Sequence, residues 1–173
     1  FDLALKTGFD IESLIFSFAI GGIAVVLHER IFRATHEKMS VSAQHAPRHR
    51  FHLWAILSAP AVFIILSLTT LLNPIYISAI ALILGGFATW YCRPDLKNKM
   101  IVSAFLFLGL YFLYFLTLIA MYPGYVERVW NLKAISGVFV FSVPLEELMF
   151  AFSFGFFWSS IYEHFTWHKI KNN

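Results

Sequence analysis

Apolar residues fall into five long unbroken runs, at 13–27, 53–72, 75–92, 100–122 and 148–162, none of which contains an Asp, Glu, Lys or Arg. Runs of this length without charge predict transmembrane helices, and no alternating pattern of strand type competes with them. The expected fold class is therefore all-α, a polytopic transmembrane bundle with five helices in this chain. Pro60 inside the second run predicts a kinked helix.

The last run repeats the first. Residues 9–29 (FDIESLIFSFAIGGIAVVLHE) set against 143–163 (VPLEELMFAFSFGFFWSSIYE) at a constant offset of 134 share Glu12/Glu146, Leu14/Leu148, Phe16/Phe150, Phe18/Phe152, Gly21/Gly155 and Glu29/Glu163. Three intervening helices return the second copy to the direction of the first, so the repeat is parallel. The predicted organisation has residues 1–33 as the last helix of an N-terminally incomplete repeat, and 34–52 as a basic loop. Residues 53–173 then form a second repeat of four helices. Three further helices are expected upstream of Phe1, for about eight in all.

Composition agrees with a bilayer. Hydrophobic residues make up 59% of the chain and charged ones 13%, with 20 Phe and a mean hydropathy of +0.71, whereas a soluble domain carries about a quarter charged residues. Basic residues are unevenly placed. Arg30, Arg33, Lys38, Arg48, Arg50, Arg93, Lys97, Lys99, Lys169 and Lys171 fall on one side of the predicted spans, and Lys6, Arg128 and Lys133 on the other. The preference of cytoplasmic loops for Lys and Arg puts the C-terminus inside, in the plasma (inner) membrane. The net charge of +3 follows from this asymmetry and suits anionic lipid headgroups, with no nucleic-acid partner expected.

Acidic residues are rare here, so their recurrence marks candidate chemistry. Pro144 suits a first helical position, and Glu146 and Glu147 fall in the first turn after it. The helix N-terminus favours an ionised carboxylate, while desolvation and the neighbouring like charge favour keeping the proton. The pair is thus a candidate general acid and base, joined by Glu12 from the first copy. Helical angles place Leu14, Phe18, Gly21 and Glu29 on one face, read as packing. Glu12 and Phe16 lie nearly opposite and predict a cavity lined by Phe16 and Phe150. Gly21 and Gly155 permit close helix approach, and Glu29 and Glu163 sit at interfacial ends.

Residues 125–156 (YVERVWNLKAISGVFVFSVPLEELMFAFSFGF) resemble the lycopene cyclase domain of the FAD-independent, heterodimeric-type membrane cyclases. The resemblance rests on Trp130-Asn131, Ile135, Gly137 and Pro144-Leu145-Glu146-Glu147 opening a Phe-rich helix. It implies acid-initiated, non-redox cyclisation of the ends of a linear polyene, lycopene, to β-rings, without a cofactor. It also implies a linear carotenoid or other polyisoprenoid as ligand, with a second subunit or further N-terminal helices completing the protein. Glu146 and Glu147 match the acidic pair of that family. Phe16, Phe150, Phe154, Trp158 and Pro144 are candidate substrate contacts, with Asp10, Trp130 and Asn131 as accessory candidates. The first copy departs from the pattern at Asp10 and Ser13, which replace the proline and the second glutamate. The same residues also suit a carotenoid- or isoprenoid-binding protein on a cyclase scaffold.

Two other groupings point elsewhere. His45, His49 and His52 resemble one histidine box of the membrane di-iron hydroxylases, but a single cluster among Arg and Pro reads as a solvated loop. Glu146-Glu147 lacks the Arg that marks a membrane glutamic protease four residues later, where Ala151 stands. Cys92 is the one cysteine and reads as a buried apolar filler, so no metal site is expected.

Overall fold

A computed structural model describes residues 11–171 of the chain as a helical bundle. Helix α1 spans Ile11–Phe32, α3 His52–Thr69, α4 Pro74–Cys92, α5 Lys97–Met121 and α7 Leu145–Trp158, with short helices α2 Val41–Gln44, α6 Tyr125–Val129 and α8 Ile161–Thr166 between and after them. Among the described residues, four helices are long and apolar enough to cross a membrane: α1, α3, α4 and α5. The fifth expected span differs. It starts at Leu145 rather than residue 148, runs only 14 residues, and stops at Ser159 before α8 resumes. A segment so short does not cross a hydrocarbon layer of about 30 Å unaided. Pro60 lies inside α3, which continues past it as helix to Thr69.

Helix α7 is the centre of the bundle. It packs on both α4 and α5, which scarcely touch each other; α3 lies against α4, and α1 against α5 and, less, α7. Small residues set these distances. A Cβ on Gly155 would meet the Ser103 carbonyl oxygen and Phe107 Cβ at 2.8 Å, which presses α7 onto α5. On the other flank, Gly85 and Gly86 of α4 receive the rings of Phe157 and Phe156. Gly155→Val is therefore expected to cost about 1–3 kcal/mol by overpacking against backbone. Thermal unfolding in detergent would read that loss, whereas Gly109→Ala, with nothing within 4 Å of its added Cβ, should not lower the midpoint.

The packing face expected for α1 needs correction. Gly21 and Ala24 are buried, and Gly21 lies against the Trp158 indole, but Leu14 and Phe18 are exposed, Phe18 to 86%. Among the described residues α1 packs mainly on α5 and α7, and most of its circumference carries large apolar side chains outward. That surface suits lipid rather than water.

Strands are also present, against expectation. β1 (Thr35–Lys38) pairs antiparallel with β4 (His168–Lys171), stitching the basic loop to the C-terminal tail. β2 (Phe139–Val140) and β3 (Val143–Pro144) form a minimal hairpin just before α7. Both ladders are too short to show as alternation in sequence.

Candidate functional site

The hairpin before α7 turns through Phe141 and Ser142, both left-handed, with φ of 49° and 65°. Two successive positive φ angles match the tight hairpin turn whose twist suits antiparallel strands. For residues with a Cβ this conformation carries strain, which concentrates at functional sites. The hairpin leads the chain through Pro144, which stands just before the helix rather than in its first turn, and the Leu145 N–H donates to the Val138 carbonyl at 2.9 Å. The preceding loop is thereby held over the helix start, where the Ser136 N–H donates to Glu146 Oε1 at 2.8 Å.

Adjacent helical residues diverge by about 100°, so Glu146 and Glu147 face different neighbours. Tyr76 of α4 donates its hydroxyl to Glu146 Oε1 at 2.6 Å, and Tyr111 of α5 donates to Glu147 Oε2 at 2.7 Å. Both carboxyls are buried, with 1% and 4% exposure. Glu146 Oε2 is buried without a hydrogen-bond partner among the described residues. An acidic pair kept from water, with one oxygen uncommitted, is equipped to pass a proton to or from a bound molecule.

Below the pair runs an aromatic column. Phe150, Phe154 and Trp158 recur every four residues and stack in sequence, with 5.5 Å between successive ring centroids and interplanar angles of 27° and 11°. They line a cleft of about 640 Å³ between α3, α4 and α7, whose wall also includes Pro60 and Phe63. The carboxyls stand one turn above Phe150, outside that wall. Among the described residues, Phe16 and Phe150 line different pockets rather than the one shared cavity expected. Phe16 instead lines a separate pocket of about 280 Å³ between α1 and α5, with Tyr111 and Tyr114. Tyr111 relates the two, since its ring also lies 6.4 Å from that of Phe150.

The remaining candidates are dispersed. Trp130 is half-buried and Asn131 exposed; neither makes a hydrogen bond to Glu146 or Glu147 among the described residues. Asp10 lies outside the described residues. Glu12 is the second residue of α1, but its side chain is outside them as well. Tyr76, Tyr111 and the Ser136 N–H were not foreseen. Their sequence signal is weak, two phenols within apolar runs with no spacing that ties them to Glu146 or Glu147.

At the other end of the bundle, which carries the basic residues, Lys99 Nζ donates to Glu163 Oε1 at 2.5 Å and also to Glu29 Oε1. His36 lies 2.9 Å from the same Glu163 oxygen. The histidines expected in a solvated loop are partly enclosed instead. His49 is buried, and His52 stacks on Trp167 at 3.9 Å and on His164 at 5.1 Å, while His45 is exposed. The β1–β4 pairing draws the tail across this loop and covers them.

Comparison with known proteins assigns the chain to a family. The family described as lycopene cyclase matches residues 73–165, more than half of the chain. No curated protein and no solved structure matches it. The match opens at Asn73, which caps α4, and runs past Glu163. It therefore includes both buried carboxyls, the two phenols that bind them and the aromatic column beneath, and the chain belongs to the lycopene cyclase family.

Proposed function

We propose that this protein cyclises the ends of a linear polyene, lycopene, to β-rings by an acid-initiated reaction without net redox change. The family supports a carotenoid cyclase-like function, and the apolar helices are compatible with an integral membrane protein. The observation that carries the finer reading is the pair Glu146 and Glu147, both buried, each bonded to a phenol, at the head of the Phe150, Phe154 and Trp158 column.

In this reading Glu146 is the proton donor. Its Oε1 is engaged by Tyr76 and Ser136, so Oε2 is the oxygen left for substrate. The proton adds to the terminal double bond and leaves a tertiary carbocation, whose charge the π-faces of the column stabilise. The next double bond supplies its electron pair to close the six-membered ring, and Glu147, oriented by Tyr111, removes a different proton to restore an alkene. One proton enters and one leaves, so the product is an isomer of the substrate. The dry walls protect the cation from capture by water. The matching placement of Glu29 of α1 and Glu163 of α8 on Lys99 supports α1 and the α7–α8 segment as copies of one duplicated unit. On the same reading the basic end faces the cytoplasm of a plasma membrane, with a second subunit or further helices completing the site beside α1.

Lycopene-accumulating cells that express the full-length protein should shift from red toward orange and yield a product of unchanged mass. Unaltered lycopene beside well-expressed protein would refute the assignment. Tyr76→Phe removes one of two donors from Glu146 Oε1, and a hydrogen bond to the carboxylate that forms as the proton leaves is worth roughly 1.5–3 kcal/mol. Cyclisation should fall about 10-fold or more while the protein remains folded, measured as product per unit of protein in extracts.

A further inference from the structure

His49 closes a turn at Pro47–His49, His52 opens α3, and Cys92 ends α4. Two segments 40 residues apart thus meet at one sulfur. Cys92 Sγ lies 3.5 Å from His49 Nδ1 and 3.3 Å from His52 Nδ1, and the three residues bring one ligand atom each within 4.8 Å of one another. We propose that His49, His52 and Cys92 form a Zn²⁺ site at the basic end of the bundle. Zinc bonds of about 2.0–2.1 Å to nitrogen and 2.3 Å to sulfur place those ligands roughly 3.6 Å apart on a tetrahedral edge. The two nitrogen–sulfur separations lie within a few tenths of an ångström of that value.

The surroundings orient the ligands. His52 Nε2 is 2.9 Å from the His164 carbonyl oxygen, which only accepts, so Nε2 carries the hydrogen and Nδ1 presents its lone pair toward Cys92. A metal-binding imidazole usually donates its other N–H to a carbonyl or carboxylate in this way. Stacking on Trp167 and His164 fixes the His52 ring, and His49 meets Trp167 edge-on at 5.3 Å. Cys92 and His49 are buried, with 3% and 9% exposure. A cleft of about 250 Å³ bounded by Arg48, Phe51, Trp54 and Tyr91 reaches Cys92 and provides a path for the ion. The adjacent Arg93 does not repel it with a free charge, because both Asp95 oxygens accept from that guanidinium, at 2.9 and 2.7 Å.

A thiolate with two imidazoles suits zinc. Binding replaces the Cys92 S–H bond with a sulfur–zinc bond and releases the proton to solvent. Three protein ligands leave one position open for water or an anion. The ion would clamp the loop before α3 to the end of α4.

The test uses the full chain in detergent, stripped with a chelator and titrated with Zn²⁺ or Co²⁺. One ion per chain is expected, with a thiolate-to-cobalt charge-transfer band and tetrahedral visible bands. Zn²⁺ should also slow alkylation of Cys92 at least 10-fold. Cys92→Ser and His49→Asn should each weaken binding 10-fold or more. Binding that survives both substitutions, or cobalt spectra without a thiolate band, would assign the ion to exposed histidines such as His45 and overturn the site. Alkylation unaffected by Zn²⁺ overturns it even if a variant fails to fold. No readout involves cyclase activity, so the result is independent of the proposed reaction.

Discussion

Glu146→Gln should leave lycopene-accumulating cells red. The substitution keeps size and shape, and the amide oxygen still accepts from the Tyr76 hydroxyl and the Ser136 N–H that hold Oε1 in place. The loop over α7 should therefore stay docked and the protein should still reach the membrane. The transferable proton is what disappears, since an amide cannot serve as an acid toward an alkene. A positioned acid or base contributes about 10²–10⁴-fold to a rate, so cyclised product should fall at least 100-fold per unit of protein. Extracted pigment analysed by absorption and mass, beside a detergent melting curve for the variant, separates chemistry from folding. A Glu146→Gln protein that keeps activity within about three-fold of the parent would remove Glu146 from the reaction.

The second large effect belongs to stability, at the opposite end of the bundle. Lys99 is 2% exposed and donates to two carboxylates, one at the end of α1 and one in α8. Lys99→Met removes the ammonium between Glu29 and Glu163 and leaves only the His36 imidazole, 3.7 and 2.9 Å from their oxygens, to face the two carboxylates. Breaking a buried ion pair by removing one partner costs about 3–5 kcal/mol, more than the pair itself contributes, because the remaining charge is uncompensated. A large fall in the unfolding midpoint is expected in detergent. Adding Glu29→Gln and Glu163→Gln to Lys99→Met should restore most of it, and a triple variant no more stable than Lys99→Met would disprove this account.

The pH response should change sign with that substitution. In the parent protein burial pushes the Glu163 carboxyl up, but Lys99 and His36 outweigh it and hold the group below its ordinary 4.5. A depressed carboxyl contributes stability above the unfolded value that is lost as pH falls through the folded one. The parent should therefore weaken on acidification below about pH 4.5, over and above other groups. In Lys99→Met, protonation relieves an uncompensated charge, so the deficit should shrink as pH falls.

Much of this protein was legible in its residues, for a reason that lies in the solvent. A bilayer penalises every charge and every unpaired backbone group, so spans announce themselves as uncharged runs. The runs at 75–92 and 100–122 locate α4 and α5 to within three residues at either end. The run at 148–162 was less accurate because Glu146 and Glu147 lie inside α7, and a boundary drawn at the last charge excludes the first turn. Gly155 was identified as a close-approach residue from its place in the repeat, and its contact with the Ser103 backbone shows how close. Phe16 and Phe150 were placed in one cavity from helical angles alone; the rotation and depth of α1 against α5 put them in two.

By itself, then, the sequence determined the class of fold, the clustering of basic residues at one end and the acidic start of the final helix, because each follows from local composition and 3.6-residue periodicity. Only the tertiary structure decided partners. Tyr76 meets Glu146 across 70 residues, Tyr111 meets Glu147 across 36, and Lys99 joins Glu29 to Glu163. Which side chains meet across such distances depends on the rotation and depth of whole helices. Those are set where Gly85, Gly86 and Gly155 let neighbours approach, a property of pairs of surfaces that no single stretch of residues contains.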